Sequence, residues 1–545
     1  MRNTLIVALA FLAACHRGSV TQEAPPAAPA ARPAASAPPF EIAYRVSWTD
    51  PASHLYDIQI DIKRVTGNVV ELQMPIWSPG RYAPFFFARN VTDFSVAGDG
   101  RSIPWDRENG SLWRLQADGA RELTVRYRVF GNTLSGTFSV LDTAHANWNG
   151  PSMFMYVVGH KPDPVRLRVT LPAESRIVNG DSRTPTQSEF SFENYDRLVD
   201  TPTEVATGLL IDTLRISDRS YRSMVHHNGP TNANVRRRFI ADLGKIIRYE
   251  NTVFDPPPLE MFTFMFHVGY PGGDGMEHLY STQIISPQRW VENGQVLSGL
   301  SSAAHEYFHV WNMKRVRAVD LGPFHYDREQ YQTTLWVGEG WTQYYGQVAL
   351  PRSGVEPADA IYDVAAELIQ ANLTAPGRKE VSARMASFEA PFFDGASPGF
   401  AVNPNAFFSY YTKGAGIALY LDLFIRGRTN NERSLDDAFR LLRDRTWNAP
   451  NASYYLQGRG YTEADVERAV SDAAGVDMHD WFERHVGGTE DMNYDDVLSA
   501  AGMRLVRDPQ TANDVPQTGW RVVPLANATP AQAKIRAGWV SGKTP

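Results

Sequence analysis

A single cysteine, Cys15, occurs in 545 residues, so no disulfide can form within the chain. No block of Lys or Arg stands out, and a net charge of −7 with a pI near 6.0 gives no support for nucleic-acid binding. Internal repeats are absent, which argues against solenoids and propellers. What is plentiful is apolar and aromatic: 43% hydrophobic residues and 12% aromatic, with 13 Trp and 23 Tyr. That composition suits sandwich packing and aromatic-lined clefts, and the length suggests roughly three or four domains.

The N-terminus reads as a targeting segment. Arg2 supplies a positive start, and Leu5 to Leu12 is an apolar stretch too short to span a bilayer. Leu12-Ala13-Ala14-Cys15 resembles a bacterial lipoprotein cleavage box. The resemblance implies removal of residues 1–14, lipidation of Cys15 and a membrane partner through that anchor. His16, rather than Asp, follows the cysteine and implies the outer membrane of the cell envelope, facing the periplasm. The alternative is an ordinary secretory signal cut nearby. Residues 15–39 are Ala/Pro-rich and read as a disordered tether.

From 40 to 217 short alternating segments such as Leu55–Ile62 and Glu122–Val129 recur between Gly, Pro, Asn and Asp, which predicts an antiparallel β-sandwich. Trp77-Ser-Pro-Gly-Arg-Tyr82 and Trp148-Asn-Gly-Pro151 read as loops at its edge. A catalytic α+β domain is expected over 218–395. It holds a helix near 232–249, a buried strand at Met261–Val268, a glycine-rich loop through Glu277 and helices near 299–317 and 331–350. Helices continue over 396–487, with a capping start at Thr462-Glu-Ala-Asp465. Residues 488–545 resemble a truncated or degenerate PDZ segment.

His305-Glu306-Tyr307-Phe308-His309 is an HExxH pentapeptide. Helical spacing turns both imidazoles to one face, where they can share a metal ion. Glu306, one position round, can address water without ligating the metal. A tetrahedral catalytic zinc wants three protein ligands and one open position, and Glu339 in Trp336-Val-Gly-Glu-Gly-Trp-Thr is the obvious third. Such a site activates water for attack on a carbonyl, with Glu306 accepting the proton. Tyr410-Tyr411-Thr-Lys-Gly414 offers a phenol to the developing oxyanion. Glu277 reads either as a turn carboxylate or as a partner for a substrate amine.

The order of these parts resembles the gluzincin aminopeptidases. HEYFHVWNMKRVR, EGWTQYY and WSPGRY together are similar to the glycyl aminopeptidase family of zinc metallopeptidases, over about residues 40–500. The resemblance implies an N-terminal β-sandwich, a thermolysin-like α+β catalytic domain and a C-terminal helical domain. It implies one Zn²⁺ per chain on His305, His309 and Glu339, Glu306 as base, and Tyr411 rather than Tyr410 as oxyanion donor. Gly275-Met276-Glu277-His278 falls where the family has its exopeptidase loop, which makes Glu277 the anchor for the free α-amine of a peptide substrate. The implied preference is for N-terminal Gly or Ala. Ala318 replaces the family's usual Pro. Lys314, Arg315 and Arg317 belong to the signature, and read equally as carboxylate binders or as a paired helix end. His278, His325 and His226-His227 read as structural or surface residues. Two other functions compete: a zinc endopeptidase, if Glu277 does not face the metal, and a non-catalytic peptide-binding lipoprotein with structural zinc.

Overall fold

The computed structural model describes residues 39–393, 407–455, 457–507 and 519–544. Cys15, the signal segment and the tether lie outside them.

Alternation builds the N-terminal domain. In Leu55–Lys63, Tyr56, Ile58, Ile60 and Ile62 are buried, while Asp57 and Asp61 on the opposite face pair across strands with Arg128 (2.8 Å) and Arg45 (3.2 Å). This strand sits near the middle of a seven-stranded sheet, which runs in the order Glu189–Phe192, Val165–Val169, Glu41–Ser47, Leu55–Lys63, Glu122–Phe130, Val91–Gly98, Arg101–Ser102. Two four-stranded sheets complete the domain. One pair departs from the expected antiparallel order: Glu41–Ser47 runs parallel to Val165–Val169, which the long stretch of intervening chain permits.

A five-stranded sheet forms the floor of the second region. Arg219–His227, Met261–Val268 and Ser281–Ser286 run parallel, with Leu210–Ile216 and Asp274–Glu277 as antiparallel edges. The hairpin around 217 therefore belongs wholly to this sheet, which begins at Leu210 rather than at 218. Met261–Val268 is almost continuously buried because both its faces are covered. Phe262 and Phe264 pack on Tyr307, and Phe266 packs on Trp290. Of the alternate residues, Met265 and His267 face the N-terminal domain through Val178 with Ala206 and through Glu204, and Thr263 accepts from Arg222 of the neighbouring strand, which donates on to Ser182 O (2.8 Å).

The motif helix is Leu297–Phe308, shorter than the span expected over 299–317. His309 keeps helical angles (φ −61°, ψ −17°) as its C-cap. The chain then coils tightly: Val316 N–H donates to Trp311 O (2.7 Å), and Met313 takes φ 94°. The third-ligand segment is also interrupted. A turn of helix at Leu335–Gly338 and a longer helix at Gly340–Ser353 meet at Glu339. Gly340 lies against Gly414 of helix Tyr410–Arg428, where a Cβ would come within 2.4 Å of the Gly414 Cα, so these two glycines set the helix spacing. One apolar core runs on from the catalytic sheet through these helices, and the capping box at Thr462/Asp465 forms as expected. In the described part of 488–545, a strand pair (Met503–Arg507 with Trp520–Pro524) and helix Pro530–Ser541 dock on the same helices. Trp539 there is fully buried and donates to the Tyr344 hydroxyl (3.2 Å).

Candidate active site

His305 and His309 present their Nε2 atoms 3.1 Å apart. His309 Nδ1 donates to Asn312 O (2.9 Å), which fixes the tautomer and leaves the Nε2 lone pair free. Glu339 Oε2 lies 3.3 Å from His309 Nε2 and 3.7 Å from His305 Nε2, so three donors converge. Asn312 also holds the second segment in place: its Nδ2 donates to Val337 O, Gly338 O and Thr342 Oγ1 at 2.9–3.0 Å. Burial alone would raise Glu339, but the two imidazoles hold it well below the usual carboxylate range. Two nitrogens and one ionised oxygen, beside an open cleft, fit a divalent ion that keeps one position for water.

Glu306 is buried, and its Oε2 finds no hydrogen-bond partner among the described residues. Burial, reinforced by Glu277 and Glu339 against the opposing His309, pushes its carboxyl up to about 8. The backbone packs closely against it: a Cβ on Gly275 would stand 2.1 Å from Glu306 Oε1 and displace that carboxyl. The glycine-rich loop expected around Glu277 runs only to Gly273; Asp274–Glu277 is a strand, paired from Asp274↔Ile285 to Glu277↔Thr282. Glu277 is only 6% exposed, which removes the turn-carboxylate reading. Its carboxylate belongs to a group with Glu306 and His309 whose donor atoms all lie within 4.8 Å of one another. Met276 is fully buried behind the strand. Tyr411, in the first turn of its helix, stacks on His305 (6.1 Å) and lines the cleft, whereas Tyr410 is buried against Tyr82. The cleft has a volume of about 330 Å³.

Residues 43–207 match the Peptidase M61 N-terminal domain and residues 298–417 match M61 glycyl aminopeptidase, together more than half of the chain. The chain belongs to the M61 glycyl aminopeptidase family. It is accordingly a metallopeptidase. The fold is similar to that of an aminopeptidase N family protein from Idiomarina loihiensis (24% identity, TM-score 0.77, 86% of this chain and 79% of that one). It is also similar to yeast LTA4 hydrolase in complex with bestatin (12% identity, TM-score 0.50, 85% and 70%). No curated protein matches the sequence.

In this M61 chain the N-terminal domain completes the site, a role that strand patterning cannot reveal. Its Trp77–Tyr82 loop reaches the three converging donors, and the Tyr82 hydroxyl donates to Glu339 Oε1 (2.6 Å). Arg81 pairs with Asp274 and donates to Gly275 O (3.0 Å), while Gly136 N–H donates to Asp274 Oδ2 (2.7 Å), so the edge strand is gripped from outside the catalytic domain. Gly80, at φ 86°, lies against Met276 and Glu277, where a Cβ would meet Met276 Sδ at 2.2 Å. The signature cations do not face the cleft. Lys314 pairs with Asp200 (2.9 Å), Arg315 donates to Val310 O (2.7 Å) and Arg317 to Leu321 O (3.2 Å), all three buried. His278 joins Lys314 on Asp200 (3.0 Å), His227 faces Gly229 O (2.8 Å), and His325 is exposed, with its carbonyl accepting from Trp77. His226 is buried in a second cluster, described below.

Removing the Tyr82 hydroxyl leaves Glu339 one partner short. Tyr82→Phe should weaken metal affinity by roughly 10- to 100-fold, the usual effect of losing such a support. Competition against a chelator reads this directly, and unchanged affinity would rule the contact out as a support.

Proposed function

We propose that the protein is a zinc aminopeptidase that removes small N-terminal residues, Gly or Ala, from peptides. The observation that carries this reading is the buried Glu277 carboxylate grouped with Glu306 and His309. A carboxylate there pairs with an α-ammonium group and so selects the first peptide bond. His305, His309 and Glu339 would hold the ion, whose contribution when bound is Lewis acidity. Glu306 takes the proton of the attacking water on its unpartnered carboxylate oxygen and passes it to the leaving amine. Its burial strengthens it as a base. Tyr411 donates its phenol to the carbonyl oxygen as charge develops there. The described cleft lining is mostly polar, with Ser301, Ser302, Gln343 and Gln347, and offers little apolar surface to a large hydrophobic side chain.

The reading includes attachment to the cell envelope through a lipid on Cys15, with the enzyme facing the periplasm. Among the described residues no helix is long and apolar enough to cross a membrane.

The discriminating experiment compares Gly and Ala amides with their N-acetyl forms. Acetylation removes the positive charge Glu277 would pair with, so kcat/KM should fall by about 2 kcal/mol or more, roughly 30-fold. Equal cleavage of both forms would instead support an endopeptidase.

A further inference from the structure

His145, Glu204, His226 and His267 meet between the N-terminal domain and the catalytic sheet, all four buried. Each comes from a different strand. His145–Trp148 and Thr203–Ala206 are neighbours in an N-terminal four-stranded sheet, and Arg219–His227 and Met261–Val268 are neighbours in the catalytic sheet. Parallel pairing sets His226 directly beside His267. From the opposite sheet Glu204 reaches all three rings: His226 Nδ1 and His145 Nδ1 lie 2.9 and 3.0 Å from Oε1, and His267 Nε2 lies 3.1 Å from Oε2.

Two features set this cluster apart from an ordinary hydrogen-bond network. First, His226 Nδ1 lies 2.9 Å from a carboxylate oxygen yet makes no hydrogen bond, because the geometry does not align. His145 Nδ1 and His267 Nε2 do hydrogen-bond to Glu204, so three ring nitrogens crowd one carboxylate that bonds only two of them, as the ligands of one ion do. With bonds of about 2.0–2.1 Å, tetrahedral ligand atoms stand roughly 3.3 Å apart. Second, Glu204 is 0% exposed, and among the described residues its only ion-pair partners are these imidazoles. A carboxylate so placed needs a compensating cation. The outer nitrogen of one ring has a support of its own: His226 Nε2 faces the Tyr270 hydroxyl (3.4 Å).

We propose that these residues form a second metal site that takes a zinc-like divalent ion on His145 Nδ1, His226 Nδ1, His267 Nε2 and Glu204. Four protein ligands leave no position for water, so the site is structural. It pins the N-terminal domain, and with it the loop carrying Arg81 and Tyr82, to the catalytic sheet. The chain then carries two metal ions, not one.

Metal analysis of the full chain, produced in zinc-supplemented medium and desalted, tests this. Wild type should hold two equivalents, and the variant lacking the cleft ligands, His305→Ala with His309→Ala, should keep one. That retained ion should raise the thermal midpoint over chelator-stripped protein. Replacing His226→Ala in wild type should also leave one. A folded double variant without metal would overturn the proposal and establish that protons alone balance Glu204. Should the double variant misfold, wild-type protein whose metal content is unchanged by His226→Ala would overturn it equally.

Discussion

Glu306→Gln is expected to cut turnover of a Gly or Ala amide by about 10²- to 10⁴-fold, the range for loss of a positioned proton acceptor, with metal content unchanged. The substitution keeps volume and polarity, which matters in a tight pocket. Gly275 passes so close that even a Cβ there would collide with the Glu306 carboxyl. Glu306 is not one of the three converging ligands, so its amide should leave His305, His309 and Glu339 in place. Turnover and metal content are therefore separable readouts. If activity and metal fell together, Glu306 would be a ligand or a structural support. Unchanged activity would refute the proton-transfer role altogether.

Much of this site was legible in the sequence because it depends on local geometry. The i, i+4 spacing brings His305 and His309 to one face whether or not the helix continues, and it stops at Phe308 without moving either ring off that face. The strand Met261–Val268 was visible as a predominantly apolar run. Contacts between segments distant in the chain were not legible. Tyr82 reaches Glu339 across 257 positions, and nothing in a Trp-Ser-Pro-Gly-Arg-Tyr loop marks its phenol as a partner of that carboxylate. The same holds for Lys314, whose partner Asp200 lies 114 positions away. His145, Glu204, His226 and His267 were hidden for this reason too: each sits alone in a strand, and only the packing of two sheets brings them together. The Glu277 segment misled in another way. Gly272 and Gly273 do lie in a loop, but Gly275 serves a strand pressed against the Glu306 carboxyl.

That close packing makes Glu277→Gln the sharpest probe of which bond is cleaved. Gly80 abuts the Glu277 carboxylate and the N-terminal domain grips Asp274 and Gly275, so an isosteric amide should fit without moving the strand. What the substitution removes is charge. Truncating one partner of a buried charge pair costs about 2–5 kcal/mol, so kcat/KM for free-amine substrates should fall by roughly 30-fold to several thousandfold. The N-acetyl forms have no ammonium to lose, so their much slower cleavage should stay level and the preference for a free N-terminus should collapse. An equal fall on both substrates would mean that Glu277 supports Glu306 or His309 rather than the substrate. The exopeptidase reading would then lose its basis, while the metallopeptidase assignment, which rests on the family, would stand.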